Sequence, residues 1–516
     1  MGDSAGNAVL IIGAGPSGLF AAVELARHGV RARVIEREPR PHHQARATAL
    51  QPGTLEILQQ AGVLDRVLPA CEHLGFARVF QVTDAGLERM SELAFAGVGC
   101  EWEFQGSLPQ WRTEQILADR LAELGGGVER GVSVVSLTER ADGMLVGLEA
   151  AAGARQDVEA CWVIGAGGAH STTRASMNER LAGSTYPGTA LVADIRLTAD
   201  LPRDGSALVA SRAGYVLLAP LPGGRWLTFV GDLDDDEIAL LDHGAAAGVA
   251  PEAVAAAMAR RIPTAVLEID DIAWASTFRM HRRLVPRLAD RHRFLLGDAG
   301  HLSSPFGGEG LNSGLHDAHN LGWKLALDLH GRARPGLLDS FAWERLAADR
   351  HVLQVSDRLH QLAHGAVEAA RSGSAPSTPP AAQDVTALAR ARSMLDVSYA
   401  GSPLIGERLA PGTPPLPSPA PGDRYPGRAS LTGGRHQAVV FGIAADAELA
   451  TLSRRWQGIV DVSQGTGDPR RVGLAREGAV LIRPDGYIGF RAVPADRAGL
   501  SALDGHLSSY LVPESA

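Results

Sequence analysis

The stretch Phe294–Leu329, FLLGDAGHLSSPFGGEGLNSGLHDAHNLGWKLALDL, decides how the rest of the chain is read. Within it an apolar run, a polar Gly297-Asp298 turn, a glycine-rich loop and a long segment with periodic apolar residues follow one another. Leu311, Leu315, Ala318, Gly322, Leu325 and Leu329 recur at threes and fours, which is one face of an α-helix. The order predicts a buried strand, a turn, a loop and a helix that begins near Gly310. Gly307, Gly308 and Gly310 let backbone come close to something flat or anionic. The helix behind them aims the positive end of its dipole at the same place.

Working outward, the N-terminal segment supplies a second element of the same kind. Ala8–Ile12 predicts a short strand, followed by Gly13-Ala14-Gly15-Pro16-Ser17-Gly18 and a helical run from Leu19. The first glycine of this fingerprint permits a tight turn and the second lets a pyrophosphate approach. The third lets helix pack on strand. A second strand, Ala32–Ile35, leads to Glu36 and Arg37, and Glu36 lies 18 residues beyond Gly18. That is the place for a carboxylate on an adenosine ribose. Together these features predict a Rossmann-like α/β domain that binds a dinucleotide.

Composition excludes several classes. At 516 residues the chain exceeds one compact core and predicts several domains. A formal net charge of −9 and a pI near 6.0 argue against a nucleic-acid or anionic-membrane partner. No apolar run approaches the roughly 18 residues of a transmembrane helix. The polar opening MGDSAGN does not read as a secretory signal. Cys71, Cys100 and Cys161 lie far apart without metal-type spacing, so they are expected to be buried, reduced thiols in a cytoplasmic protein.

Between the two glycine-rich elements the texture changes twice. Helices are expected at Thr54–Ala61 and Thr113–Leu124, the latter preceded by Gln110 and Arg112. Strands follow at about Val132–Thr138, Leu145–Glu149 and Val158–Ile164, the last running into Gly165-Ala166-Gly167-Gly168-Ala169-His170-Ser171. From about Leu181 to Phe278, alternating runs such as Ala193–Leu197, Tyr215–Ala219 and Trp226–Val230 predict an antiparallel sheet, interrupted by one helix at Pro251–Arg261. One face of such a sheet can meet a ligand. Beyond the long helix, Ser372–Ala382 reads as a linker, and Ala410–Gly427 is again rich in proline and glycine. Strands at Val439–Ile443, Ile459–Val462, Val480–Arg483 and Tyr487–Arg491 then form another unit, the last pair around the turn Pro484-Asp485-Gly486. The expected segmentation is 1–180 and 279–371 for two parts of the cofactor domain, 181–278 for a substrate sheet, 372–427 for a linker with helical segment, and 428–516 for the C-terminal unit.

Taken together, the fingerprint, the Gly-Asp turn and the Arg483-Pro484-Asp485-Gly486 turn resemble the single-component FAD-dependent aromatic hydroxylases, in particular the branch acting on polyketides and antibiotics. The resemblance covers nearly the whole chain. It implies that Gly13, Gly15, Pro16, Ser17, Gly18, Glu36 and Arg37 serve the adenosine-diphosphate part of FAD. Arg46 and Gln110 then serve its ribityl and phosphate portions. Gly297 and Asp298 match the motif whose aspartate binds the ribityl chain, and Pro305, Gly307, Gly308, Gly310, Leu311 and Asn312 match the loop under the isoalloxazine ring. The tail from Pro421 onward resembles the family's thioredoxin-like domain; it lacks CxxC, which implies packing or a homodimer contact rather than redox work. A reduced flavin is anionic, and the helix from Gly310 would stabilise it by about 0.3–2 kcal/mol.

Two departures qualify the implied chemistry. The family's GADGAHS motif, used with both FAD and NAD(P)H, here reads GAGGAHS, so Gly167 stands in place of a hydrogen-bond-accepting carboxylate. Its RTLE segment reads Gly53-Thr54-Leu55-Glu56, without the arginine. The FAD site is left largely intact, while the elements tied to nicotinamide are weakened. Two functions are therefore expected to compete. One is an NAD(P)H- and O2-dependent monooxygenase acting on a polyketide or polycyclic substrate. The other is a redox-neutral cyclase of the [4+2] type, which would hold a polyene in a reactive fold around a retained FAD, an effect worth up to roughly 7–11 kcal/mol in ideal cases. No catalytic acid or base is assigned. His301 lies near the loop, His316 and His319 are expected to face solvent or neighbouring helices, and Tyr215, Trp226, Arg279 and His281 are candidates for the substrate side.

Overall fold

A six-stranded sheet sets the two glycine-rich elements side by side. In the computed structural model, residues 8–513 are described except 46, 243–248, 374–381, 429–430, 432 and 443–445. Val9–Ile12 pairs in parallel with Ala32–Glu36 on one side and with Trp162–Gly165 on the other, and Trp162–Gly165 pairs in parallel with Arg293–Leu295. All four residues of Val9–Ile12 are buried, as expected for a parallel strand covered on both faces. Three strand ends therefore open on one crevice: Gly13 after the first, Ala166-Gly167-Gly168 after the second, and Gly297-Asp298 after the third. Ligands of open parallel sheets bind at such carboxyl ends. Helix Pro16–Arg27 lies against helix Gly310–Leu329. The approach is close enough that a Cβ on Gly322 would stand 2.6 Å from the Glu24 Cβ.

The second layer is a seven-stranded sheet of order 267–278, 190–199, 225–231, 214–221, 205–211, 76–83, 86–94. Its face built from Ile195, Val216, Leu218, Trp226 and Val230 packs on helix Pro251–Ala259 through Val254 and Met258. Leu208, Leu217, Ala219, Leu227 and Phe229 face the other way, into a cavity. The expected segmentation needs one correction. Phe76–Thr83 and Gly86–Ala94, placed by sequence in the 1–180 segment, belong to this sheet, because Phe76–Gln81 pairs in parallel with Gly205–Ala210. A second local correction is that Val158–Ile164 is two strands, Arg155–Ala160 and Trp162–Gly165, which pair in different sheets on either side of Cys161.

The C-terminal unit is a five-stranded mixed sheet of order 406–409, 488–493, 478–482, 436–441, 460–464, flanked by helices Asp446–Arg455 and Arg497–Tyr510 and in keeping with the thioredoxin-like reading. Ile443 and most of the Ser372–Ala382 segment lie outside the described residues. The Arg483–Gly486 turn docks on the cofactor domain through a buried charge cluster. Arg483 donates to both oxygens of Glu344 at 2.6 and 2.8 Å, Lys324 Nζ donates to Glu344 at 2.7 Å, and Asn320 donates to Glu344 at 2.8 Å and Asp485 at 3.1 Å. Burial outweighs these carboxylates at Lys324 and lowers its ammonium to about 8. No helix among the described residues is long and apolar enough to cross a membrane.

Candidate active site

A cavity of about 2030 Å³ runs without interruption from the N-terminal fingerprint, past the Gly307–Gly310 loop, to the open face of the seven-stranded sheet. Gly13, Gly15, Pro16, Ser17, Glu36, Arg37, Gln110, Asp298, Pro305, Gly307, Gly308, Gly310 and Leu311 all line it. Three of the expected residues do not. Gly18 is pressed onto Gly13, where a Cβ would meet the Gly13 carbonyl at 2.0 Å. Gly297 is packed on Ser17, and Asn312 is wholly buried beneath the loop. Arg46 lies outside the described residues.

The fingerprint has the shape a dinucleotide pyrophosphate requires. Gly13 has φ +106°, and a Cβ there would strike the Ala166 carbonyl oxygen at 2.4 Å. Gly15 meets nothing within 4 Å in that direction, so its missing side chain leaves room on the cavity side. Glu36 accepts from the backbone N–H of Ala14 at 2.9 Å and of Glu38 at 3.0 Å, which fixes its carboxylate at the cavity wall.

The loop is shaped by residues that sequence reasoning missed or misassigned. Asn312 Nδ2 donates to the carbonyls of Ala49 at 2.8 Å and Gly308 at 2.6 Å, while its Oδ1 accepts from Gln51 N at 2.9 Å. Gln51 Nε2 in turn donates to the Gly307 carbonyl at 2.5 Å. Asn312 is thus a strut of the loop, with its side chain committed to protein. Gly308 has φ +67° and would bring a Cβ within 2.5 Å of the Ala49 Cβ, so backbone proximity, as well as conformation, demands glycine there.

The Gly297-Asp298 turn has its own support. Gly297 N–H donates to Asp317 at 2.9 Å, and His301 Nε2 donates to the same oxygen at 2.8 Å. Arg345 bonds the other Asp317 oxygen at 2.7 Å and Asp349 at 3.0 Å. His301, Asp317 and Asp349 are spaced closely enough to ligate a metal, but the Arg345 guanidinium already supplies the cation among them. Burial opposes a charged His301, yet Asp349 and Asp317 outweigh it and hold the imidazole up at about 9. Asp298 is exposed to the cavity while protein surrounds it; this crowding raises its carboxyl above the ordinary range, and His301 pulls the other way.

Other candidates fall elsewhere. Of the two settings expected for His316 and His319, solvent is excluded, since both are buried, while His319 meets the neighbouring helix Pro16–Arg27, its Nδ1 bonded to Glu24 at 3.0 Å. Trp226 lies on the far face of its strand, in the core. Tyr215 packs on Phe306, Met280 and Ala363 without lining the large cavity. Arg279 and His281 line a second cavity of about 650 Å³, together with His170, Arg174, Arg180 and Arg283. The two cavities share Ala169, His170, Phe278, Asp298, Leu302 and Ser303, so a recess with four arginines and one glutamate, Glu179, opens beside the Gly-Asp turn.

The two sequence departures have different structural grounds. At Gly53 a side chain would press on the backbone carbonyls of Ser393 and Met394 at 2.9 and 3.0 Å, and Gly53 N–H donates to Ser393 O at 2.9 Å. A neighbouring segment therefore occupies the arginine's space. At Gly167, φ is −77° and the nearest atoms to a Cβ are at 3.7 and 3.8 Å, so nothing excludes a side chain.

The comparisons with known proteins agree with this geometry. The FAD binding domain family matches residues 7–356, and the aromatic-ring hydroxylase C-terminal domain matches residues 403–511. The chain is 32% identical over 557 residues to the 6-methylpretetramide 4-monooxygenase of Streptomyces rimosus, covering 99% of this chain and 95% of that protein. Among solved structures it is similar to aklavinone-11 hydroxylase in complex with FAD and aklavinone, with TM-score 0.79, 25% identity and coverage of 98% and 99%. It is also similar to the Diels-Alderase of the pyrroindomycin pathway, with TM-score 0.72, 25% identity and coverage of 98% and 99%. With the two family models matched over residues 7–356 and 403–511, the chain belongs to the FAD-dependent aromatic-ring hydroxylase family.

Proposed function

We propose that the protein is a cytoplasmic NAD(P)H- and O2-dependent monooxygenase that oxygenates a polyketide or other polycyclic aromatic substrate on FAD. The observation that carries this reading is the continuity of the large cavity: one wall is the flavin loop, and the opposite wall is the apolar face Leu208, Leu217, Leu227 and Phe229. A flat, largely apolar molecule fits such a space. Bound FAD supplies the redox and oxygen chemistry; the protein's contribution is to bind, orient and exclude water. Asp298 and the Gly307–Gly310 backbone hold the ribityl and ring portions, the fingerprint holds the diphosphate, and Glu36 faces the adenosine ribose. The relatives named 6-methylpretetramide 4-monooxygenase, anhydrotetracycline monooxygenase and aklavinone-11 hydroxylase support the substrate class.

The basic recess beside Asp298 supports nicotinamide use, because arginines on that side suit the phosphates of a dinucleotide. The redox-neutral reading rests on Gly167 and on the likeness to the Diels-Alderase. One measurement separates them. Purified holoprotein mixed with NADH or NADPH in air should oxidise the nicotinamide, and an aromatic polyketide should accelerate the reaction. A flavin that is never reduced while substrate is still converted would establish the cyclase instead. The vacant space at Gly167 makes the second test clean: Gly167→Asp should fold normally and raise the rate of nicotinamide oxidation, whereas an unchanged rate would show that the residue has no part in reductant use.

A further inference from the structure

Among the buried charged groups that line the large cavity, Glu309 stands apart. It immediately precedes helix Gly310–Leu329 and is 1% exposed, yet neither of its carboxyl oxygens has a hydrogen-bond partner and its side chain makes no cap. Its Oε1 points back under the loop, 3.2 Å from where a Gly307 Cβ would stand. Arg392 closes the same wall at the end of helix Ala382–Arg392, whose Val385 and Leu388 also line the cavity. Its guanidinium carbon lies 5.4 Å from the Phe95 ring centroid, and its Nε is buried without a partner. Each is the foremost charge acting on the other, though no hydrogen bond joins them.

Unsatisfied buried polar groups cost about 1–3 kcal/mol each. No protein group satisfies the Glu309 oxygens or the Arg392 Nε, and a ligand in the cavity is placed to complete them. Burial pushes Glu309 well above the ordinary carboxyl range, and a neutral carboxyl offers one donor and one acceptor. Arg392 offers donors only. The complement is a ring edge carrying a hydroxyl next to a carbonyl. We propose that Glu309 and Arg392 form a polar subsite that binds the hydroxy-ketone edge of the polycyclic substrate, Glu309 accepting the ligand O–H and Arg392 donating to the carbonyl oxygen. The subsite thereby chooses which ring edge faces the flavin loop. This rests on the reading of the large cavity as a ring-oxidising site.

The test is binding to the holoenzyme, followed by quenching of flavin fluorescence. Two probes are compared: rhein, an anthraquinone carboxylate with hydroxyls beside its carbonyl, and an anthraquinone carboxylate that lacks both hydroxyls. Wild type should prefer rhein by at least about tenfold, equivalent to 1.4 kcal/mol. Glu309→Met and Arg392→Met should each reduce the preference to within about twofold while still binding the unhydroxylated probe, and Glu309→Gln, which keeps a donor and an acceptor, should retain it. Absence of a preference in wild type, or its survival in both Met variants, would overturn the proposal. If Glu309→Met fails to hold FAD, Arg392→Met alone decides. Nicotinamide oxidation stimulated by rhein is recorded in parallel; its absence with the binding preference intact would count against the monooxygenase reading and leave the subsite standing.

Discussion

Two buried charged regions flank the helix pair Gly310–Leu329 and Asp339–Ser372, and they are built on opposite terms. At the joint with the C-terminal domain, Glu344, Lys324, Arg483, Asp485 and Asn320 satisfy one another in a closed network. At the cavity end, Glu309 is also buried, but neither of its carboxyl oxygens has a partner, and the half-buried Arg392 beside it has an unpartnered Nε. A closed network holds two domains in one orientation, since removing any member strands the rest. An open one stores an unmet demand for hydrogen bonds that a ligand can meet. The same residue types are therefore structural at one end of the helix and ligand-facing at the other, and only the state of their partners tells which.

The largest effect expected from this contrast is at the joint. Arg483→Met leaves Glu344 and Asp485 as buried carboxylates with too little positive charge, and should lower unfolding stability by about 3–5 kcal/mol. Chemical denaturation followed by tryptophan fluorescence, to which Trp323 contributes with its ring 5.4 Å from the Arg483 guanidinium, reads this loss. Pairing it with Glu344→Leu should recover part of the loss; a single variant as stable as wild type would mean the network is dispensable.

An intermediate effect is expected at His301, which supports the Gly-Asp turn through Asp317. Its folded pKa of about 9 lies above the ordinary 6.5, so the native state holds the proton more tightly than the unfolded chain. The stabilisation is fully present below pH 6.5 and is lost as pH rises through 9. Its size is on the order of 3 kcal/mol. Lys324, lowered to about 8, works in the opposite direction above that pH, so the relevant quantity is the difference between wild type and His301→Gln. That difference should shrink between pH 6.5 and 9; a constant difference would show that the imidazole is not charged in the native protein.

The smallest effect is the one that sharpens the comparison most. Glu309→Met removes an unpaired buried acid, whose cost of about 1–3 kcal/mol is partly offset by its attraction to Arg392, so it should raise stability by only a part of that amount. A loss as large as that of Arg483→Met would show that Glu309 is part of a closed network after all.

Much of the cofactor domain was legible because its signals are local. The turn at Gly13–Gly18, the helix start at Gly310 and the Arg483–Gly486 turn are each set by a few consecutive residues with special backbone needs, and each lies where expected. The recruitment of 76–94 into the substrate sheet was not legible, because its parallel partner at 205–211 is more than a hundred residues away. Asn312 was legible as part of the loop motif but not as its strut, since Ala49 and Gln51 reach it only in the folded chain. Gly53 reads as a damaged motif until Ser393 and Met394 are seen against it. Arg392 offers no sequence signal at all, being one arginine on a polar helix.

The sequence by itself determined a dinucleotide fingerprint and a glycine-rich loop before a long helix, because glycine conformations and strand-turn-helix periodicity are properties of neighbouring residues; that the dinucleotide is FAD followed from the family resemblance of the combined motifs. The tertiary structure alone decided which sheet face meets the flavin loop, which buried charges are paired and which await a ligand. Those outcomes depend on desolvation and on partners brought together from distant segments, and neither is encoded at any single position.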